Sequence, residues 1–186
     1  MPRAAGFVLC GGQSRRMGTD KALLPFGQGT LVEHIAGVVR KAAGSVTLIG
    51  PAERFGALQL PVIEDEMPGL GPLGGIISAL ASCPGEKCLV VACDLPDLTP
   101  EFLIDLIDRS DRVKADCVLP ESVHGLEPLC AVWSPAALPA LRCAATAGRL
   151  KMREVVRHLT TSVWKVEAAT VFRNVNTPED WATRHG

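Results

Sequence analysis

The sequence lacks net charge. Nineteen Lys and Arg residues balance twenty Asp and Glu residues in a chain of 186, which gives a formal charge of −1. Without an excess of basic residues, a general nucleic-acid-binding function is disfavoured. Because 47% of the residues are hydrophobic, the low net charge also argues against intrinsic disorder. We therefore expect a single globular domain over residues 1–186.

Long hydrophobic runs are also missing. The chain contains no stretch of about 18 consecutive apolar residues, so no membrane-spanning helix is expected. The apolar stretch that precedes Gly11 is too short for the hydrophobic region of a secretory signal peptide. These observations predict a cytoplasmic protein with no membrane partner.

The cysteines lack the spacing of a disulfide framework or a zinc site. There are seven, an odd number, and no CxxC pair. Cys10, Cys88 and Cys93 adjoin apolar runs, where cysteine usually behaves as a small buried hydrophobe. The sequence therefore predicts neither disulfides nor a structural zinc ion.

Short apolar runs alternate with amphipathic segments along the chain. The predicted strands cover residues 6–10, 46–49, 60–63, 88–93, 117–119 and 129–133, and the predicted helices start near Thr30, Pro72, Pro100 and Ala136. Such an alternation is typical of an α/β fold in which helices cover both faces of a mostly parallel sheet. Roughly, residues 1–100 are expected to form a nucleotide-binding half and residues 101–186 a half that binds a second substrate.

A glycine-rich loop follows the first predicted strand. Gly11 and Gly12 are adjacent, so the backbone can turn sharply and present N–H groups to an anion. Arg15, Arg16 and Lys21 add three positive charges to the same loop, which suits a triphosphate. From the glycine pair alone, a flexible surface loop with solvated charges remains the simpler alternative.

The two best-known phosphate loops are absent. The dinucleotide pattern GxGxxG fails because Gly11 and Gly12 are adjacent, and the pattern GxxxxGK[ST] fails because Thr19 follows Gly18. What remains is a longer loop that carries its own lysine, Lys21.

Two aspartates follow predicted strands. Asp94 comes after the most apolar strand of the chain, and Asp65 comes after residues 60–63. Doubly wound folds bind ligands at the carboxyl ends of their strands, where a carboxylate can hold Mg²⁺ together with phosphate oxygens and water. A turn or capping role accounts for either aspartate equally well on the sequence alone.

These features together resemble a known family. The pattern GGxSxRMGxDKALL of residues 11–24 is similar to the signature loop of sugar-nucleotide-type nucleotidyltransferases. Four further segments resemble, in order, those of the molybdenum cofactor guanylyltransferases: residues 62–65 with 71–75, 92–96, 127–129 and 172–180. The similarity covers nearly the whole chain, and the closing Asn-x-Asn-Thr-Pro segment carries the resemblance to the molybdopterin branch.

The resemblance implies a fold, a reaction and a cofactor. The fold is the three-layer, Rossmann-like nucleotidyltransferase fold. The reaction is transfer of GMP from GTP to the terminal phosphate of molybdenum-loaded molybdopterin, with Mg²⁺ as the cofactor and pyrophosphate as the leaving group. Molybdoenzymes or other cofactor-assembly proteins would be further partners.

The resemblance also implies residue roles. Lys21 and Arg16 would bind the triphosphate, and Asp94 would hold the metal ion and so contact the nucleotide. Backbone approach to the phosphates is implied for Gly11, Gly12 and Gly18, and contact with the nucleoside or its cleft for Leu9, Cys10, Asp65 and Gly71. Asn174 and Asn176 would bind the pterin, because on a strand alternate residues share one face. Turn chemistry ahead of Pro178 is the alternative for these two residues.

Other functions remain open at this stage. Residues 49–51 lack the asparagine that some relatives carry near the base, so a cytidylyltransferase acting on the same pterin is an alternative. A non-catalytic nucleotide-binding module for molybdoenzyme maturation is a second alternative, and a sugar-phosphate nucleotidyltransferase is a third.

Overall fold

The computed structural model describes residues 3–11, 21–167 and 169–174. The strands are β1 (Ala5–Leu9), β2 (Pro25–Phe26), β3 (Gly29–Thr30), β4 (Thr47–Ile49), β5 (Val62–Ile63), β6 (Cys88–Ala92), β7 (Cys117–Ser122), β8 (Gly125–Leu126), β9 (Cys130–Trp133) and β10 (Thr161–Lys165). The α-helices are α1 (Leu31–Ala43), α2 (Ala52–Phe55), α3 (Pro72–Ala81), α4 (Pro100–Ser110), α5 (Leu138–Thr146) and α6 (Met152–Val155).

One sheet joins strands from both halves of the chain. Its order is β10-β7-β9-β6-β1-β4-β5, and β8 extends β7 as a hairpin. Strands β5, β4, β1 and β6 are mutually parallel, β9 is antiparallel to both β6 and β7, and β10 is parallel to β7. The prediction of a mostly parallel sheet is confirmed.

Alternate side chains of the central strands enter two separate cores. On β1, Val8 packs with the helices α1 and α4, whereas Phe7 packs with α3 and α5. On β6, Leu89 and Val91 lie in the same core as Val8, and Val90 lies in the same core as Phe7. Because successive residues of a strand point to opposite faces, a fully apolar strand is buried on both sides, and three layers result.

Local sequence signals set the ends of the two helices that cover one face. Thr30 caps α1 in a capping box with Glu33, and Gly44 ends α1 with a left-handed φ of 87°. Thr99 is the N-cap of α4, where its side chain accepts a hydrogen bond from the Phe102 N–H.

Several predicted boundaries are wrong in detail. The strand expected over residues 60–63 is only Val62–Ile63, and the helix expected from Ala136 starts as the 3₁₀ helix Pro135–Ala137 before α5. The two-residue strands β2 and β3 form an antiparallel hairpin that no pattern predicted. The strands of two residues and the 3₁₀ helix of three span only about one period of either hydrophobic pattern, so periodicity cannot reveal them.

The seven cysteines all lie in the described residues, and none forms a disulfide, as the sequence predicts. Cys10, Cys88, Cys93, Cys117 and Cys130 are buried. A hydrogen bond with the Cys88 thiol lowers the pKa of Cys83 to about 7. In the described part of the chain, no helix is both long enough and apolar enough to cross a bilayer.

Gly6 and Gly37 provide a matched test of this packing. A Cβ on Gly6 of β1 would clash with the Ser45 carbonyl oxygen and lie 2.5 Å from Val39 Cγ1, whereas a Cβ on Gly37 of α1 would meet nothing within 4 Å. We expect Gly6→Ala to lower the free energy of unfolding by about 1–3 kcal/mol. Gly37→Ala should raise it by about 0.5–1 kcal/mol, since Ala is the better helix former. Urea denaturation of both variants measures the difference, and equal effects would contradict the described packing.

Candidate active site at the carboxyl edge of the sheet

The central strands leave the sheet at one common edge. Beyond β1, the Cys10 N–H donates to the Ile49 carbonyl at 2.9 Å, and beyond β6 the Cys93 N–H donates to the Leu9 carbonyl at 3.2 Å. These bonds continue the parallel pairing past the assigned strands. The segments that begin at Cys10 and at Cys93 therefore start side by side.

An ion pair joins those two segments. The Lys21 ammonium lies 2.7 Å from Asp94 Oδ2, and the two side chains are 20% and 19% exposed. Lys21 opens the 3₁₀ helix Lys21–Leu23, and Asp94 lies two residues beyond β6. The structure thus brings together the two described residues that the sequence singled out for phosphate and metal chemistry.

The other described residues of the first loop differ in exposure. Gly11 is exposed, whereas the Cys10 side chain is buried among the α1 core residues with its thiol near the Val8 carbonyl. Any contact between Cys10 and a ligand at this edge is therefore made by its main chain. Gly12, Arg16 and Gly18 lie outside the described residues, so their roles stay predictions.

Asp65 fixes the loop that precedes α3. Its Oδ1 accepts hydrogen bonds from the Met67 N–H at 2.9 Å and from the Ser78 hydroxyl at 3.1 Å. Fully buried Ser78 also accepts from the Glu66 N–H at 2.9 Å. Sequence reasoning missed this network, because a serine on an apolar helix gives no sign of the loop that it holds.

Small residues allow α3 to approach both Asp65 and β1. A Cβ on Gly74 would lie 3.0 Å from each Asp65 carboxylate oxygen, and a Cβ on Gly75 would lie 3.0 Å from Leu9 Cδ2. Gly71, at the N-cap of α3, has a φ of 61° that L-amino acids rarely adopt. The glycines of this segment therefore place the start of α3 beside the carboxyl end of β1.

The C-terminal segment returns to the loop after β6. Arg173 Nε lies 3.5 Å from Asp97 Oδ2, and the Phe172 ring meets the Phe102 ring of α4 with centroids 5.5 Å apart. Asn174 is the next residue after Arg173 and is exposed. Asn174, the candidate for binding the acceptor, therefore directly follows a residue that contacts the loop carrying Asp94.

The expected strand around Asn174 is not found. Asn174 follows the 3₁₀ helix Ala169–Phe172 and has no regular secondary structure itself. Strand alternation therefore does not set the direction of the Asn174 side chain. Asn176 lies outside the described residues.

The far end of β7 reaches the same edge. β7 is parallel to β6, because both are antiparallel to β9. At the carboxyl end of β7, the Ser122 hydroxyl donates to Glu127 Oε1 at 2.6 Å and accepts from the His124 N–H at 3.0 Å. Arg153 of α6 donates from Nε to the Leu126 carbonyl at 3.0 Å, so its side chain supports this hairpin.

Asp94 is the candidate metal ligand of this edge. Within residues 3–11, 21–167 and 169–174, no group of three or more His, Cys, Asp and Glu side chains is arranged to hold a metal ion. Mg²⁺ commonly uses only one or two protein carboxylates and completes its shell with phosphate oxygens and water. Asp94 at a ligand-binding sheet edge, with Lys21 beside it, fits that mode of binding.

A mostly parallel α/β sheet that presents a lysine and an aspartate beside a glycine-rich loop is the architecture of a nucleotidyltransferase. Comparison with known proteins agrees with this class: the model of the MobA-like NTP transferase domain matches residues 6–163. The chain belongs to this family, and it is a nucleotidyltransferase.

Relatives cover the full length of the chain. A protein of Pelotomaculum thermopropionicum named probable molybdenum cofactor guanylyltransferase is 37% identical over 97% of this chain and 91% of its own length. One of the same name from Nostoc is 33% identical over 100% of this chain and 92% of its own length. The crystal structure of molybdopterin-guanine dinucleotide biosynthesis protein A from Archaeoglobus fulgidus superposes with a TM-score of 0.84 at 26% identity, covering 96% of this chain and 95% of the other.

Ser78 gives a direct test of the Asp65 network. Ser78→Ala removes the hydroxyl that bonds Asp65 and Glu66, so the free energy of unfolding should fall by about 1–3 kcal/mol. Thr146→Ala is the matched control: the Ser78 hydroxyl also lies 3.0 Å from the Gly74 carbonyl of its own helix, and the exposed Thr146 hydroxyl bonds the Arg142 carbonyl at the same distance. The control should change stability by less than about 0.5 kcal/mol in urea denaturation. An equal loss in both variants would show that the Ser78 bonds contribute nothing specific.

Proposed function

We propose that this chain transfers GMP from GTP to the terminal phosphate of molybdenum-loaded molybdopterin, forming molybdopterin guanine dinucleotide and pyrophosphate. The observation that carries the proposal is the Lys21–Asp94 pair, a cation and a carboxylate at the carboxyl edge of the sheet. Doubly wound folds bind their ligands at this edge. The names of the two full-length relatives support guanine as the base and molybdopterin as the acceptor.

The reaction needs positioning more than a protein nucleophile. An oxygen of the acceptor phosphate forms a bond to the α-phosphorus of GTP, and the bond from that phosphorus to the β-phosphate oxygen breaks. Both reactants are anions, so the protein must hold them in line and offset their charge. No covalent intermediate with a side chain is required.

Lys21 supplies the positive charge for this step. Its ammonium is already oriented at the sheet edge by a charge-assisted bond to Asp94. With a triphosphate in the cleft, Lys21 binds the β- and γ-phosphate oxygens and offsets the charge that develops on pyrophosphate. Arg16 and the backbone of Gly11, Gly12 and Gly18 complete this anion site in the proposal.

Asp94 holds a divalent ion, for which Mg²⁺ is proposed. The ion would neutralise phosphate oxygens and polarise the α-phosphorus. Lys21 contacts Oδ2 of Asp94. The other carboxylate oxygen, Oδ1, would bind the ion while Oδ2 continues to orient the lysine. A crystal structure of Mycobacterium tuberculosis Rv0371c in complex with manganese has the same fold, with a TM-score of 0.70 at 22% identity.

The remaining proposed contacts divide between the two substrates. Leu9, the main chain of Cys10, and Asp65 border the guanosine, and Gly71 opens the helix beside it. Asn174 and Asn176 bind the pterin, and the Asp97–Arg173 contact keeps their segment beside the Asp94 loop. Molybdoenzymes that receive the product are proposed as further partners.

Asp94→Asn tests the metal assignment. The amide keeps the size of the carboxylate but loses its charge, so turnover should fall by about 10²–10³-fold. The matched control is Asp105→Asn, which neutralises an exposed carboxylate of α4. Pyrophosphate release from GTP, Mg²⁺ and molybdenum-loaded molybdopterin measures the rate, and thermal unfolding monitors folding. Unchanged turnover in Asp94→Asn would refute the metal role.

The choice of base is tested by the product. With equal concentrations of GTP and CTP, mass spectrometry should find the guanine dinucleotide as the dominant product. Dominant cytosine dinucleotide would assign the chain to cytidylyl transfer. Nucleotide binding without any dinucleotide would instead favour the non-catalytic module.

A further inference from the structure

His34 of α1 contacts the segment that follows Lys21 and the segment that follows Asp94. Its Nε2 lies 3.0 Å from the Pro96 carbonyl oxygen. Because a carbonyl oxygen can only accept, Nε2 carries the proton and donates it. The bond ties α1 to the loop between β6 and α4, two residues beyond Asp94.

The other contact of His34 is with the first segment. Its ring packs against the Phe26 ring of β2, with centroids 4.4 Å apart and the planes inclined by 39°. Phe26 lies five residues after Lys21, and the intervening chain is short and hydrogen-bonded: the Leu24 N–H donates to the Lys21 carbonyl at 3.3 Å. One side chain therefore packs against the Lys21 segment and is hydrogen-bonded to the Asp94 segment.

The helix that carries His34 is a rigid base for such a contact. The neighbouring residues Leu31, Val32 and Ile35 are completely buried, and a capping box fixes the start of the helix. The Leu31 N–H also donates to the Leu24 carbonyl at 2.9 Å, which ties the start of α1 to the Lys21 segment independently of His34. The loop 93–99 is held by its own turn, in which the Leu98 N–H bonds the Leu95 carbonyl at 3.2 Å, by the buried Leu95 and Leu98 side chains, and by the Cys93 N–H and the Asp97 carboxylate. The bond from His34 adds a main-chain anchor at Pro96, two residues beyond Asp94.

We infer that His34 is a positioning residue: through its bond to Pro96 it fixes the loop that carries Asp94 relative to Lys21. The expected effect of His34 on catalysis rests on the proposed function, whereas its effect on the position of the loop 93–99 does not. Loss of the bond frees the Asp94 carboxylate to move relative to Lys21, which weakens divalent-ion binding more than nucleotide binding. Sequence spacing gives no sign of this role, since the partner is a main-chain carbonyl 62 residues away.

Two substitutions separate the hydrogen bond from the packing. His34→Phe keeps a ring against Phe26 but removes the donor, whereas His34→Gln keeps an N–H donor at the same reach and removes the ring. His158→Phe is the matched control, because His158 is an exposed histidine in the 3₁₀ helix Val156–His158 of the second half.

Three measurements are compared across these variants. They are the Mn²⁺ concentration required for half-maximal GTP binding, the separate values of kcat and of the KM for GTP, and the rate of hydrogen exchange of the amides in residues 93–99. For His34→Phe we expect a rise of at least about tenfold in the Mn²⁺ requirement, a fall in kcat with little change in KM, and faster exchange in residues 93–99. His34→Gln should recover most of each effect, and His158→Phe should match the wild type.

Contrary outcomes are equally distinct. If His34→Phe leaves exchange in residues 93–99 unchanged, or if His34→Gln is as impaired as His34→Phe, the hydrogen bond to Pro96 does not position the loop. A change in melting temperature alone would reduce His34 to a packing residue. A wild-type protein that fails to bind or turn over GTP would overturn the proposed function, and the exchange comparison would still decide the role of His34.

Discussion

The parallel pairing of β1 with β6 is the constraint on which the site depends. Its register runs from Ala5 opposite Cys88 to Leu9 opposite Ala92, and it continues in the bond from the Cys93 N–H to the Leu9 carbonyl. This register places the segment that begins at Cys10 and the loop that carries Asp94 at one edge. A slip of one residue would turn every side chain of either strand to the opposite core. Burial on both faces therefore protects the alignment of the functional loops.

The Lys21–Asp94 pair is largely buried, since each side chain is only about one-fifth exposed. Removing two charges from water offsets much of their attraction, so the pair is weak evidence of a contribution to stability. What the fold provides instead is orientation, because two apolar cores fix the strands from which both segments emerge. The near-zero net charge of the chain is compatible with this arrangement. It argues against a broad polyanion-binding surface, yet a single charged edge suffices for one triphosphate.

The sequence predicts the elements that have a strong local signal. The apolar runs of β1 and β6 appear where the pattern indicates, and the helices predicted to start near Thr30 and Pro100 do so as α1 and α4. The carboxyl edge follows from the parallel strands alone, so the expectation that Asp94 lies at a ligand-binding edge required no coordinates.

Long-range hydrogen bonds could not be predicted in the same way. Ser78 holds Asp65 across 13 residues, and His34 holds the Pro96 carbonyl across 62. A serine or a histidine that bonds a distant loop leaves no periodicity in the sequence, because its partner is set by the packing of whole elements. The 3₁₀ helix Ala169–Phe172, where the Phe172 ring meets the Phe102 ring, is hidden for a related reason, because so short a turn has no alternating pattern.

The reversal at β9 explains how the second half can serve the same edge. Because β9 is antiparallel to both neighbours, β7 and β10 regain the direction of β6 and end where β6 ends. The Ser122–Glu127 hairpin and the chain beyond Lys165 therefore emerge at the edge that carries Asp94. The Phe102, Trp164 and Phe172 rings then hold the C-terminal segment against α4, with Arg173 beside Asp97. One antiparallel strand thus lets a mostly parallel sheet bring segments from both halves of the chain to a single edge, as the proposed transfer between two bound anions would require.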